Sequence, residues 1–362
     1  MNINQSERLH NFSAGPATLP LAVIESVREE LPLYPKVGAS VMEISHRSPE
    51  YIEIESSARD RIRRLLGLTE DWHILFLGGG ASMQFHQVPL NFLPSDGQAG
   101  YLLTGSWAKK AHAEAERVGQ SRVIASSADK GFNYIPEPSS WDLDSNDAYV
   151  HYTSNNTIYG TQFQSTPNVD SPLVCDASSD FLSRPIDLEK YGLIYAGAQK
   201  NIGPSGVTVI LVRDRFLQIR KQGLPTMLDY GTHAEKCFNT PPVFAVYMVE
   251  KVLRWLEDQG GISGIQATNR QKSNLLYTTI DETDFYRGTA QRESRSEMNV
   301  TFRLQREDLE QTFMDEATQN GLLALKGHRS VGGMRASIYN ACSLESIQIL
   351  VSFMKDFQQR NG

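Results

Sequence analysis

Between about residue 50 and residue 215 the chain alternates short apolar runs with stretches of helical periodicity, and few folds accept that pattern. The runs Ile74–Leu77, Tyr101–Thr104, Ala148–Tyr152, Leu173–Asp176, Leu193–Ala196 and Val207–Val212 are too short for buried helices and read as strands. Between the first of them lie helical stretches. Tyr51–Leu66 places Ile54, Ala58, Ile62 and Leu65 on one face, and Ser82–Asn91 and Trp107–Val118 follow. Apolar strands separated by helices predict an α/β protein whose mostly parallel central sheet is covered on both faces. Ligands of such sheets lie beyond the carboxyl ends of the strands.

The pattern changes after the predicted helix Val243–Leu256, which closes at Gly260-Gly261. Ile265–Tyr277 reads as a helix and Met298–Arg303 as a strand. Arg306–Asn320 reads as a helix with Leu309, Phe313 and Ala317 on one side, stopped by Gly321. Strand-like Leu322–Lys326 and Met334–Ile338 flank a glycine-rich turn. A last helix from about Ser343 shows Ile347, Leu350, Val351, Met354 and Phe357 on one face. The division expected is a large domain over 16–261 and a smaller α/β domain built from 1–15 and 262–362.

The net charge of −7 gives no sign of a nucleic-acid surface. No apolar run approaches the ~18 residues that span a bilayer. The first eight residues lack the apolar stretch of a signal peptide. Cys175, Cys237 and Cys342 are odd in number and far apart, which suits a reducing compartment, and a cytoplasmic location is expected.

The segment Tyr195–Gly206 (YAGAQKNIGPSG) carries the most chemistry. Lys200 follows a strand and a patch of Ala and Gly that leaves room for a flat group. Asp176 ends an earlier strand. A lysine able to form an imine, with a carboxylate on a neighbouring strand to pair with a pyridine nitrogen, is the minimal apparatus for pyridoxal phosphate. A solvated loop lysine and a capping aspartate are the bland alternative. Gly78-Gly79-Gly80-Ala81-Ser82 follows a strand and opens a helix, which suits a phosphate or a plain tight turn. It lacks the third glycine of a dinucleotide site and the Gly-Lys-Ser/Thr of a P-loop. Trp107, just past another strand, could stack on a heteroaromatic ring or pack in the core. The polar run Thr153–Gly160 and the segment Phe238–Pro242 (FNTPP) could bind a ligand or serve as turn and cap. His46 and Arg47 precede a helix opened by Pro49. Gly327–Arg335 (GHRSVGGMR) brings His328, Arg329 and Arg335 into one turn, a set that suits anions if it is not merely solvated.

Taken together, NFSAGPA (Asn11–Ala17), ISHRS (Ile44–Ser48), GGGASMQF (Gly78–Phe85), AGAQKNIGPSG (Ala196–Gly206), FNTPP and GHRSVGGMR resemble the phosphoserine aminotransferase family. That family lies within the class-V, fold-type-I pyridoxal phosphate enzymes, and the resemblance runs nearly end to end. It implies a reversible transamination between O-phospho-L-serine and 2-oxoglutarate in L-serine biosynthesis, and a homodimer with shared active sites. Some members also serve pyridoxine synthesis, a role the sequence leaves open. By resemblance, Lys200 carries the cofactor and moves the proton, Asp176 holds the pyridinium and Trp107 stacks on the ring. Ala81, Ser82 and Gln199 bind the cofactor phosphate, joined by Asn239 and Thr240 of the partner subunit. Thr157 hydrogen-bonds the cofactor. His46 and Arg47 of the partner subunit, with His328 and Arg329, bind the substrate's phosphate or side-chain carboxylate, and Arg335 binds the α-carboxylate. No metal is implied. One departure stands out: Asn156 occupies a position where the family often carries Glu, so a different pH profile is expected. The rival readings are an alanine–glyoxylate aminotransferase or a desulfurase on the same cofactor, a nucleotide-binding oxidoreductase using Gly78–Gly80, and a non-catalytic scaffold. Neither Cys237 nor Cys342 is placed like a desulfurase nucleophile.

Overall fold

The computed structural model describes residues 8–35 and 37–362. Residues 1–7 of the N-terminal segment read above lie outside the described residues. A seven-stranded sheet forms the centre, in the order Trp72–Leu77, Thr208–Arg213, Tyr191–Gly197, Leu173–Asp176, Asp147–Thr153, Gln98–Leu103, Gln120–Ser126. Neighbours run parallel except at Thr208–Arg213, which is antiparallel to both strands beside it. All six predicted strands are present with ends shifted by a few residues. The edge strand Gln120–Ser126 was not anticipated. Only Ile124 in it is buried, so it lacks the apolar signature of its neighbours.

Side chains alternate across the sheet and build two cores. On one face Val150, Tyr152, Cys175, Ile194 and Val209 pack under the helices Pro49–Leu66 and Val243–Asp258. On the other, Leu75, Tyr149, Val174, Leu193 and Tyr195 pack with Phe85 and Phe92 of Gly80–Phe92 and Ala111 and Ala115 of Ser106–Glu116. The helix Pro49–Leu66 starts where Ser48 accepts a bond from Tyr51 N and ends at Gly67, whose φ of 66° is the left-handed conformation that glycine adopts freely. Tyr51, Ile54, Ala58 and Ile62 form its buried face, while Leu65, expected on that face, is only half-buried against the same core.

A separate apolar cluster collects Phe302, Phe313, Ala336, Ile347, Leu350, Met354 and Phe357. Its sheet is Tyr286–Gly288, Asn299–Leu304 and Met334–Ser337, covered by the helices Gly261–Asp281, Glu310–Gln319 and Leu344–Asn361. Phe12 joins this cluster, because His10–Asn11 pairs in parallel with Leu322–Leu323. The strand expected over Leu322–Lys326 is shorter than read: regular pairing stops at Leu323, and Ala324 takes a φ of 62° that no extended strand tolerates. The helix Leu21–Glu30 is a further element without a clear sequence signal; only Val23 and Val27 are buried in it.

Candidate active site

The groups of interest meet past the carboxyl ends of the central strands. Asp176 is the last residue of its strand and pairs with Tyr195 on the next one, which leads after Gly197 into Lys200. Together with Ala14, Gly15, Gly80, Ala81, Ser82, Phe85, Trp107, Thr157, Ile158, Ser178, Gln199, His328 and Arg335 they line one cavity of about 350 Å³. A cavity of about 390 Å³ around Tyr152, Cys175 and Arg184 is larger, but no lysine lines it. The chemistry of the wall, not the volume, marks the site.

Local folding explains the placement. Gly79, at φ 88°, turns the chain from the strand Trp72–Leu77 into the helix Gly80–Phe92, and a side chain there would collide with Met83 Cβ at 2.6 Å. No side chain caps that helix, so its first amides are free where Ala81 and Ser82 meet the cavity. Free amides at a helix start favour an anion such as a phosphate. Trp107 stands in the first turn of Ser106–Glu116, and its buried indole Nε1 has no partner among the described residues. Arg335 Nε is likewise buried and unpartnered, while one of its terminal nitrogens donates to Thr157 O at 3.4 Å. Two orphan donors on one wall mark a space shaped for an acceptor-bearing ligand.

Lys200 Nζ donates to Thr157 Oγ1 at 3.0 Å and lies 5.8 Å from the Trp107 ring centroid. Burial lowers its pKa and Arg335 lowers it further, while Asp176 and Asp180 pull the other way. The amine is therefore easier to deprotonate than an ordinary lysine. Burial pushes the Asp176 carboxyl up, opposed by Lys200 and by the hydroxyl and amide of Ser178, whose N–H donates to Asp176 Oδ1 at 3.0 Å. The sequence does not single out Ser178, although a residue two places after an aspartate is where an Asx-turn would put a donor. Phe85, Ala14 and Gly15 are also wall residues without a chemical signal of their own. Burial and the charges of Arg335, Arg329 and Lys110 hold His328 below the usual imidazole range.

Four expected residues lie elsewhere. Asn239 and Thr240 are exposed, Arg47 is exposed and His46 is half-buried, and none lines the Lys200 cavity. Burial pushes the Cys237 thiol up and the nearby Arg47 charge opposes this, so the 46–47 loop and the 237–240 segment share one face of the molecule. Arg329 is exposed beside the cavity wall and acts on His328 only through charge. Asn156 does not line the cavity. Its Nδ2 donates to Thr104 Oγ1 and Thr161 Oγ1, both at 3.1 Å, and so holds the turn that presents Thr157.

Known proteins resemble this chain over nearly its whole length. The aminotransferase class-V family model matches residues 9–350. The chain is 51% identical to the phosphoserine aminotransferase of Geobacillus kaustophilus, over 98% of this chain and 99% of that one. It is 52% identical to that of Desulfosudis oleivorans, over 99% of this chain and all of that one. Among solved structures, the phosphoserine aminotransferase of Bacillus circulans subsp. alkalophilus superposes with a TM-score of 0.96 at 48% identity, covering 98% of this chain and 100% of that one. The PLP-bound enzyme of Trichomonas vaginalis gives 0.92 at 38% identity, covering 96% and 100%.

Proposed function

The chain belongs to the class-V aminotransferases, and from that premise we propose that it transaminates O-phospho-L-serine with 2-oxoglutarate, giving 3-phosphooxypyruvate and L-glutamate in L-serine biosynthesis. The observation that carries this reading is the meeting of Lys200, Asp176, His328 and Arg335 on one cavity wall. The cofactor is pyridoxal phosphate, and the wall fits it. Free helix amides at Ala81 and Ser82, with Gln199, offer the phosphate site. Trp107 offers a ring face, Thr157 a hydroxyl, Asp176 a carboxylate and Lys200 an amine. When bound, the cofactor supplies an electron sink for the pair left behind as the substrate loses its Cα proton.

The protein's own groups do the rest. Lys200 would hold the cofactor through its amine, and that amine would serve as the base for the substrate's Cα proton. Its lowered pKa favours the base form this requires. Asp176 would offer a charge-assisted partner to the cofactor's pyridine nitrogen and favour its protonated form. Arg335 holds the α-carboxylate common to both amino acids. His328 and Arg329, with His46 and Arg47 of the partner subunit, hold the distal anion, a phosphate in one substrate and a carboxylate in the other. Planar guanidinium and imidazole groups accept both shapes.

We assign a large domain to 16–261 and a small one to 1–15 with 262–362; the cluster of Phe12 with Phe302 and Phe313 supports a separate small unit, while Ile262 and Ile265 at its start pack with the larger core. The protein is assigned to the cytoplasm as a homodimer. Its three cysteines are unpaired, and among the described residues no helix is long and apolar enough to cross a membrane. The exposure of Asn239, Thr240 and Arg47 on one face supports their donation to a second subunit.

A substrate panel tests the reaction. Phosphoserine with 2-oxoglutarate should turn over far faster than alanine with glyoxylate, and the reverse order would overturn the substrate assignment. Arg335→Ala should lower kcat/KM for phosphoserine and for glutamate alike, by about 10- to 100-fold for one charge-assisted contact. An effect on only one of the two would refute the α-carboxylate role. Shared sites predict complementation. Equal amounts of Lys200→Ala and Arg47→Ala protein, unfolded and refolded together, should recover about a quarter of wild-type activity, because half the dimers then hold one intact site. Recovery no greater than the sum of the separate variants would argue against the exchange of Arg47.

A further inference from the structure

A second lysine is more deeply buried than Lys200 and plays no part in the chemistry above. Lys272, on the helix Gly261–Asp281, has 0% of its surface exposed. Its Nζ donates to the carbonyl oxygens of Ile338 at 3.0 Å, Tyr339 at 2.7 Å and Cys342 at 2.9 Å. An ammonium has three protons, and each is used. Burial pulls the pKa down to about 8, while the three carbonyls favour the form with three donors. The neighbouring Cys342 thiol is pushed up by burial. The acceptors that hold Lys272 Nζ are therefore the carbonyl dipoles of a single segment.

That segment, 338–342, connects the strand Met334–Ser337, which carries Arg335, to the helix Leu344–Asn361. It also reaches the cavity from behind. Tyr339 Oη donates to Ala14 O at 2.8 Å and accepts from Asn299 Nδ2 at 3.2 Å, and Ala14 is a wall residue. Asn340 N donates to Asn201 Oδ1 at 2.9 Å, one residue past Lys200. Asn340 Nδ2 donates to Leu182 O at 3.1 Å, and Asn269, on the same helix as Lys272, donates to Asn340 Oδ1 at 2.8 Å. Asn201 Nδ2 in turn donates to Phe181 O at 2.9 Å.

We propose that Lys272 is a positioning residue for the transamination: by clamping three carbonyls of 338–342 it sets, through Tyr339 and Asn340, where Arg335 and Lys200 stand around the cavity. The proposal rests on the roles given above to those two residues. Without the ammonium, the Ile338 and Cys342 carbonyls lose this donor and the Tyr339 carbonyl keeps only the Cys342 amide, at 2.9 Å, so the segment must shift to find others.

The test uses the full chain with Lys272→Met and Tyr339→Phe, singly and together. In cofactor-free protein, Lys272→Met should speed amide hydrogen exchange in 338–342 by about 10-fold or more relative to the rest of its core. In the loaded enzyme, assayed well below the melting temperature, KM for both phosphoserine and glutamate should rise by about 10-fold. Tyr339→Phe should raise both KM values in the same sense, and the double variant should be no worse than Lys272→Met alone, since both act along one path. A lowered melting temperature with unchanged KM values would show a purely structural lysine and overturn the proposal. Should Lys272→Met fail to fold, Tyr339→Phe decides: raised KM values support the path and unchanged ones sink it. A wild-type protein inactive on phosphoserine would fault the reaction assigned above, whereas an active wild type with indifferent variants would fault this inference alone.

Discussion

Lys200→Ala is expected to fold like the wild type and to lose transamination by about 10⁴-fold or more, the scale of a positioned base that also forms the covalent link. The expectation of folding follows from what the side chain does in the protein. Its one side-chain hydrogen bond goes to Thr157 Oγ1, and burial disfavours its charge. Removing it relieves a desolvated cation and leaves the core packing of Ala196 and Ala198 intact. Circular dichroism and thermal melting of the cofactor-free variant should therefore match the wild type within a few degrees. Because the space of a butylamine is left open, a small primary amine added to the assay should restore part of the lost rate. Wild-type turnover in the variant would remove Lys200 from the mechanism. Loss of folding would show that the lysine is a structural element.

Asp176→Asn carries the second largest effect, about 10²- to 10³-fold in kcat, in line with removal of one preorganised electrostatic partner from a water-poor site. Asparagine keeps the size of the side chain and can still accept from Ser178 N, so the fold should survive. What disappears is the negative charge. A second consequence has a definite sign. Asp176 raises the pKa of Lys200, so its neutralisation should lower that pKa further. Attachment of pyridoxal phosphate needs the neutral amine, and in stopped-flow absorbance its pH midpoint should move to lower pH in Asp176→Asn. A midpoint that stays or moves upward would contradict the electrostatic link between the two residues.

How much of this was legible in the sequence depends on how each residue is buried. Leu173–Asp176 was read to its ends because all four residues are buried and no polar alternation confuses the pattern. Gln120–Ser126 was invisible because an edge strand with one buried side chain looks like a loop. Nothing in Val207–Val212 could reveal that its strand runs against its neighbours, since direction is set by the loop before it rather than by its own side chains. At the site, Asp176 is legible as the acidic end of an apolar strand and Lys200 as a lysine just past a strand and a patch of small residues. Ser178 and Phe85 act through geometry that no motif records. Lys272 would be taken for a solvated position on a helix; three main-chain carbonyls brought in from 66 to 70 residues away make it a core residue instead. Asn239, Thr240, His46 and Arg47 are the reverse case. Their motifs point to ligand binding, and in a single subunit none of them lines the cavity.

The most direct measurement is a peptide map of protein saturated with pyridoxal phosphate and then reduced with borohydride. The account predicts the added mass on the peptide containing Lys200 and on no other, with loss of activity in proportion to labelling. A Lys200 peptide of unchanged mass, or a label on Lys272 or a surface lysine with activity lost in step, would contradict it.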